Sequence, residues 1–413
     1  MKKTVVYISS CALHADGTPD PFLLQELPWL QKRFDRVLMC SAYGVAELRE
    51  DRPEKVRVTS PGMGMPLACL QAPFHRQFFT ELRHLRADGS LNAKRALKLL
   101  AFTCRGLKLY RWILPMLRED EQMTFYAYWM SFDGFAAALC KRKMPQARAI
   151  ARGHAFDIDV QRNPLNPYLM KRFMARTLDA IYPINQSAKE QILSYVDMPP
   201  EKVRVVGAGS AGEISETHFS APRFEDGVYR VVSCAAMVEI KRIPLLIDAL
   251  SMWEGCKLHW VHIGGGEEEE KIRTYAMEKL GAHPLVTYEL TGSLQPEQVG
   301  DVYRTRPFDV FVNTSKNEGT PVSIMEALHA GIPVAAPRVG GIPELIDLSI
   351  GCLYPADGGA GDIVGALRAV YEKTREEAER MRTAAQARWN ECCAIPSLLQ
   401  KLFPKETEEY TTP

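Results

Sequence analysis

The sequence predicts an α/β fold of two doubly wound parallel-sheet domains, and three observations predict it. Short β-branched and aromatic runs alternate with helix-period stretches along the whole chain. Most of these runs are continuously apolar, as strands covered on both faces are. The chain has 413 residues, too many for one ordinary core and suited to two domains of roughly 200 each.

In chain order, the first half offers strands at Thr4–Ile8, Arg36–Ser41, Thr124–Trp129, Ala147–Ala151, Ala180–Ile184 and Val203–Val206. The second half offers Arg230–Cys234, Lys257–Ile263, Val286–Leu290, Val310–Asn313 and Pro333–Ala336. Helical patterns cover Pro244–Trp253, Glu268–Leu280 and Pro321–Ala330. Residues 208–225 are rich in Gly, Ser and Pro with little apolar periodicity, so they read as a linker. That places a first domain at 1–207 and a second at 226–384, and leaves 385–413 as C-terminal helices and an acidic tail.

Composition narrows the function. Lys and Arg number 51 against 50 Asp and Glu, a net charge of +1, so no global field favours nucleic acid. No run approaches the ~20 apolar residues of a membrane span. The opening MKKTVVYISSCALHA has an apolar core, Val5 to Ile8, shorter than the ~7–15 residues of a signal peptide, and reads as a buried first strand. Ten scattered cysteines suit free thiols in a reducing compartment. His259 and His262 are three apart in a strand and point to opposite faces, so no metal centre is expected.

One segment is not neutral. Arg76 to Arg118 holds ten basic and two acidic residues, a local +8, leaving 41 basic and 48 acidic elsewhere. Lys94, Lys98, Arg105 and Lys108 fall along one helical stripe, and Ala96, Leu100, Leu107, Tyr110 and Leu114 along another. This is either an ordinary solvated helix or a basic amphipathic surface for anionic lipid or an anionic acceptor.

The stretch that carries chemistry is VFVNTSKNEGTPVSIMEALHAGIPVAAPRVGGIPELI, Val310 to Ile346. A buried strand ends near Asn313 and a polar loop follows. Thr320 is the expected N-cap, with Pro321 at the first helical position, where a missing N–H costs nothing. A second strand then leads to Gly340-Gly341 and a helix start at Pro343-Glu344. Two helix starts and glycine backbone at one sheet edge favour an anion. Glu318 stands in the loop before the first helix and Glu326 within it, both suited to accept from sugar hydroxyls.

From Glu318 through Val334, with Gly340, Gly341 and Glu344 after it, the sequence resembles the family-4 retaining glycosyltransferases, which have the GT-B fold of two Rossmann-like domains facing a cleft. The resemblance implies transfer of a sugar, with retention, from a UDP- or GDP-sugar donor to a saccharide or lipid-linked acceptor. It implies work in surface polysaccharide, lipopolysaccharide or glycolipid synthesis, in the cytoplasm at the inner face of the cell membrane. It implies neither metal nor cofactor beyond the nucleotide sugar. Glu318 would position the donor sugar and Glu326 bind the ribose. Lys241 and Arg242, in SCAAMVEIKRIPLLIDAL, would meet the diphosphate together with Gly319, Thr320, Pro321, Val322 and Ser323. The backbone at Leu290, Thr291 and Gly292 would read the base.

In the first half, RGHAFDID resembles the family's Arg-x-His-x-x-Asp segment. It would bring His154 to the donor sugar and let Asp157 orient the loop on the acceptor side, with Asn185 at the interdomain cleft. Asp157-Ile158-Asp159 also imitates a metal-binding Asp-x-Asp, a use the Rossmann-like pattern argues against. IGGGEEEEKIR matches a tight turn near the nucleotide; its glutamates would repel a phosphate. As in relatives, the helices after Ala385 would return to the first domain. Two departures stand out: Ala236 replaces a family arginine, and Thr320 an aromatic residue. The alternatives are a catalytically silent GT-B subunit that binds a nucleotide or a partner, and a GT-B sugar-nucleotide epimerase.

Overall fold

Six runs of the first half pair into one all-parallel sheet: β1 (Lys3–Ser9), β2 (Arg36–Ser41), β3 (Val56–Thr59), β4 (Gln122–Ala127), β5 (Arg148–Gly153) and β6 (Ala180–Pro183). Their order is β3-β2-β1-β4-β5-β6. The computed structural model describes residues 1–9, 21–41, 56–59, 66–158, 169–210 and 223–404. It falls into two units, Met1–Gly207 with Leu398–Pro413, and Ala208–Ser397. The middle of the expected linker, the tail from residue 405, and Asp159 lie outside the described residues.

The second unit repeats the plan with β7 (Val228–Cys234), β8 (Lys257–Ile263), β9 (Val286–Leu290), β10 (Val310–Val312), β11 (Val334–Pro337) and β12 (Gly351–Tyr354). The order β12-β11-β10-β7-β8-β9 is the first sheet's order read from the other edge. In both, the first and fourth strands of the unit are central neighbours, the Rossmann arrangement. Loops leaving the carboxyl ends of that central pair run in opposite directions and open a crevice. The site therefore belongs beyond β7 and β10.

Both faces of the second sheet are covered, as the apolar runs require. Val231, Trp260 and Val312 enter one buried cluster, while Val232, Val261 and Phe311 enter another on the opposite face. The two expected strand histidines separate as alternation demands. His259 is half-buried and bonds the Thr287 hydroxyl at 2.9 Å, while His262 is fully buried. The nine described cysteines are free thiols.

Three expectations change. β3 and β12 were not among the expected strands; VRVT is interrupted by Arg57, and GCLY opens on a glycine. Val203–Val206 lies beside β6 as an edge with a single bridge, Ile181 to Val203. The return to the first unit begins at Leu398 and not at 385. Ala385, Trp389 and Cys393 belong to the second unit's core, and Trp389 Nε1 donates to Ser210 Oγ at 2.8 Å. In the first unit, Phe403 packs edge-on against Phe34 and Tyr126.

The basic segment forms helices Arg76–Ala87 and Ala93–Ile113. Its core-facing stripe matches the expected one only in part: Leu107 is buried as expected, together with Leu99, Phe102, Gly106, Leu109 and Ile113, whereas Ala96, Leu100, Tyr110 and Leu114 are only half-buried. The helix turns the smallest residue, Gly106, toward Phe135, where a Cβ would sit 2.4 Å from that ring. Lys94 and Arg105 remain exposed and Lys98 and Lys108 half-exposed, interleaved with exposed Leu97 and Trp112.

Candidate active site

The loops after β7 and β10 are stitched together through backbone. The Thr314 hydroxyl donates to the Lys241 carbonyl at 2.7 Å, Arg242 Nε donates to the Thr314 carbonyl at 2.7 Å, and Lys316 N–H donates to the Ile240 carbonyl at 2.8 Å. Arg242 also reaches the Ser315 and Ala356 carbonyls, at 3.4 and 3.5 Å. Its backbone is left-handed (φ 52°), which turns the chain into helix Ile243–Ser251. Arg242, expected at the diphosphate, here holds the loop that carries Glu318.

Across this stitched pair, Lys241 Nζ meets Glu318 Oε1 at 2.5 Å, with 24% and 10% of the two side chains exposed. A carboxylate and an ammonium are thus held together at the mouth of the crevice. The Glu318 loop is also fixed from behind. Gly341 N–H donates to the Gly319 carbonyl at 2.7 Å, and Gly340 adopts φ 52°, where a Cβ would lie 1.7 Å from the Glu318 carbonyl oxygen. Only glycine allows that approach.

The helix after Glu318 runs Val322–His329, with Pro321 as its N-cap. The cap falls one residue later than expected, because Pro321 takes extended backbone, and proline offers no side-chain acceptor. No side chain caps the helix's first N–H groups, those of Val322 and Ser323. Beside them, the Thr320 and Ser315 hydroxyls are buried without a hydrogen-bond partner. Uncapped N–H groups, two unpartnered hydroxyls and the positive helix end make this place receptive to an anion.

Glu326, four residues into the helix, has no hydrogen-bond partner for its carboxylate among the described residues. Burial alone pushes its pKa up to about 7. Its neighbours Cys234 and Tyr303 are themselves held protonated chiefly by burial. A half-buried carboxylate with no protein donor awaits one from a ligand.

The loops flanking this centre are closed by glycines. Gly264 (φ 137°) abuts the Ala235 carbonyl and Gly266 (φ 154°) the Met237 carbonyl, so the glycine turn packs on the β7 loop. Gly264 N–H donates to the Gly292 carbonyl, and Thr291 N–H to the His262 carbonyl, both at 3.0 Å. Leu290, Thr291 and Gly292 are thereby fixed beside the turn, with the Leu290 carbonyl accepting from Arg273 at 3.1 Å. Ala236 is exposed.

In the first unit, His154 follows β5 with its ring against Tyr128 and Trp129, centroids 4.8 and 4.5 Å away. Neither ring nitrogen has a hydrogen-bond partner. Burial, then the nearby Arg152 charge, holds its pKa well below the ordinary value, so the ring is neutral at pH 7. Asp157 is 1% exposed and accepts from His154 N–H at 2.7 Å and from Met130 N–H. Asp157, expected to orient the loop, holds two loops together through these backbone N–H groups. Asn185, 6% exposed, is the N-cap of helix Gln186–Tyr195, accepting from Ala188 N–H at 2.8 Å.

Sequence reasoning missed the pair beneath His154. Arg152 NH1 meets Glu26 Oε1 at 3.1 Å, and the Tyr126 hydroxyl donates to Glu26 Oε2 at 3.1 Å, all buried. The partners' sequence separation of 126 leaves no local signal; a charged residue inside an apolar strand was the one available hint.

Residues 214–388 match the family model described as Glycosyl transferases group 1. An O-antigen biosynthesis glycosyltransferase of Escherichia coli is 25% identical over 214 residues, 51% of this chain and 57% of that protein. An amylovoran biosynthesis glycosyltransferase of Erwinia amylovora is 25% identical over 281 residues, 63% of this chain and 66% of that protein. The chain thus spans less than two thirds of these relatives' length. Among solved structures, the lipopolysaccharide outer core galactosyltransferase WaaB superposes with a TM-score of 0.66 at 14% identity, covering 97% of this chain and 98% of that one. Anabaena HepE in complex with UDP gives 0.65 at 16% identity, with the same coverage. Residues 214–388 are thus similar to the glycosyl transferases group 1 family, and the two-unit fold is the GT-B fold.

Proposed function

We propose that the protein is a retaining glycosyltransferase that moves a sugar from a nucleotide-sugar donor to a saccharide or lipid-linked acceptor in surface polysaccharide synthesis. The observation that carries the reading is the Lys241–Glu318 pair at the carboxyl ends of the second unit's central strands, beside an uncapped helix start and the unpartnered Glu326 carboxylate. The second unit takes the nucleotide. Glu326 accepts from the ribose hydroxyls, and the backbone at Leu290, Thr291 and Gly292 meets the base. Lys241, the Val322 and Ser323 N–H groups and the Thr320 hydroxyl face the diphosphate, with Gly319 and Pro321 shaping that turn.

As the anomeric C–O bond to phosphate breaks, negative charge grows on the leaving diphosphate and positive charge on the sugar. Lys241 and the helix end stabilise the first, and Glu318 the second. The acceptor oxygen bonds to the anomeric carbon on the face the phosphate leaves, and its proton passes to that phosphate, so no separate base is needed. His154 offers a neutral ring nitrogen to a sugar hydroxyl. The charge of the diphosphate is met by side chains and backbone, so the reaction needs no metal.

The relatives support the direction. HepE has been seen with UDP and with UDP-glucose, and the curated relatives act in O-antigen and amylovoran synthesis. The test is titration with UDP and GDP followed by a donor-hydrolysis assay across nucleotide sugars, with and without EDTA. Glu326→Ala weakens nucleotide binding by roughly 1.5–3 kcal/mol. Glu318→Gln keeps near-normal nucleotide affinity but loses most turnover. Binding without turnover for any donor would favour the silent subunit, to which the exposed Ala236 points.

A further inference from the structure

We propose that the first unit carries a second anion site, for a ligand bearing a di- or polyanionic phosphate group, at the edge of its sheet opposite the strands' carboxyl ends. Helix Phe132–Lys143 runs from the end of β4 to the start of β5, so its last turn lies at that edge. Helix Lys171–Thr177 ends there too, just before β6. Together with helix Arg76–Ala87 they enclose a cavity of about 580 Å³.

Five permanent cations line it, Arg76, Lys141, Arg142, Arg172 and Arg176, against one carboxylate, Glu81. Only two of the five are neutralised: Lys141 by Asp179 at 2.9 Å and Arg172, loosely, by Asp88 at 3.9 Å. Arg76, Arg142 and Arg176 have no carboxylate partner among the described residues. Three guanidinium groups without a carboxylate beside one cavity create a local positive potential that favours an anion.

Two further features describe the lining. Glu81 is 2% exposed, and its Oε1 has no hydrogen-bond partner. Its other oxygen faces His84 Nδ1 at 3.7 Å, an atom likewise without a hydrogen bond. The local field is positive. Burial and then Arg172 and Arg176 lower the His84 pKa, and burial and then Arg142 lower that of His75. The forks are also held in place, with the Arg142 guanidinium 5.8 Å from the centre of the Phe173 ring. Planar guanidinium groups on three helices suit bidentate contact with phosphate oxygens.

The phosphate could be free or borne on a lipid, and two probes separate these sources. The full-length protein is titrated calorimetrically with inorganic pyrophosphate and with dihexanoyl phosphatidic acid below its micelle concentration. The same is done for the Arg76→Gln/Arg142→Gln/Arg176→Gln variant and for Lys241→Gln. All three arginines are exposed, so the triple variant should melt as the native protein does. The expected result is at least tenfold weaker binding of one probe in the triple variant with UDP saturating the nucleotide site, a loss that Lys241→Gln, which acts on the nucleotide's diphosphate alone, does not reproduce. Loss of pyrophosphate indicates a free ligand; loss of phosphatidic acid alone indicates a lipid phosphate. If the triple variant binds both as the native protein does, or only Lys241→Gln loses binding, the site does not exist. This readout does not depend on glycosyl transfer.

Discussion

Glu326 gives the sharpest expectation at the scale of a residue, because its burial couples nucleotide binding to pH. Its carboxyl titrates at about 7 in the folded protein, against about 4.3 in an unfolded chain. Ribose hydroxyls bind the ionised form, so nucleotide affinity should fall about tenfold from pH 8 to pH 6. The Glu326→Gln variant should show no such slope; calorimetry at the two pH values checks this. The same shift sets a stability effect of opposite benefit. A raised carboxyl means the folded state holds its proton more tightly, so stability falls as pH rises from about 4.3 to 7. Glu326→Gln should therefore stabilise the ligand-free protein at pH 8 by on the order of 3 kcal/mol, and hardly at all near pH 4.5. An unfolding midpoint that does not rise at pH 8 would remove the buried carboxylate from the account. Glu318, Glu326 and Lys241 were legible in the sequence because their motif is local and their chemistry unambiguous. The backbone bonds of Asp157 and Asn185 were not legible, since a polar residue after a strand looks the same whether it faces a ligand or holds backbone N–H groups.

Between residue and fold, the loop and helix that follow β10 work as one element, and its weak point is a glycine outside it. Gly340 presses on the Glu318 carbonyl from the next loop in a left-handed conformation (φ 52°). Gly340→Ala must move either loop, and the backbone strain alone costs roughly 1–3 kcal/mol. Turnover in this variant should fall at least tenfold, because Glu318 is displaced from Lys241. Gly361→Ala, in a helix where a Cβ meets nothing within 4 Å, is the control and should leave turnover unchanged. Normal turnover in Gly340→Ala would mean that the loop's position does not matter. The strands around this element were readable as continuous apolar runs. β12 was not, because four residues opening on a glycine carry too little pattern to separate a strand from a turn. The long basic helix was recognised, but its buried stripe was placed only in part. Close packing of Gly106 on Phe135 decides which face turns inward, and periodicity of apolar residues does not register a glycine contact.

Charge distribution is a property of the whole molecule, and it yields the last expectation. Ten basic and two acidic residues between Arg76 and Arg118 give +8 in a chain whose remainder is 41 basic and 48 acidic, or −7. Helix Ala93–Ile113 presents Lys94, Lys98, Arg105 and Lys108 with at least part of each side chain in solvent. Leu97, 69% exposed, and Trp112, 39% exposed, lie among them, so the face has both a cationic and an apolar component. Among the described residues no helix is long and apolar enough to cross a membrane. Each cation near an anionic surface contributes about 1 kcal/mol, so four hold the protein reversibly. Such binding should weaken steeply with salt, as the Debye length shrinks to ~3 Å at 1 M. Co-sedimentation with phosphatidylglycerol vesicles is the measurement, at low and high salt. The native protein is compared with a variant in which Lys94, Lys98, Arg105 and Lys108 are all changed to Gln. The native protein should pellet with vesicles at low salt and the variant should stay in solution. Leu97→Ser and Trp112→Ser together should weaken binding without changing its salt dependence, because they remove the apolar component alone. Equal sedimentation of native and charge-depleted protein at low salt would leave this face an ordinary solvated helix.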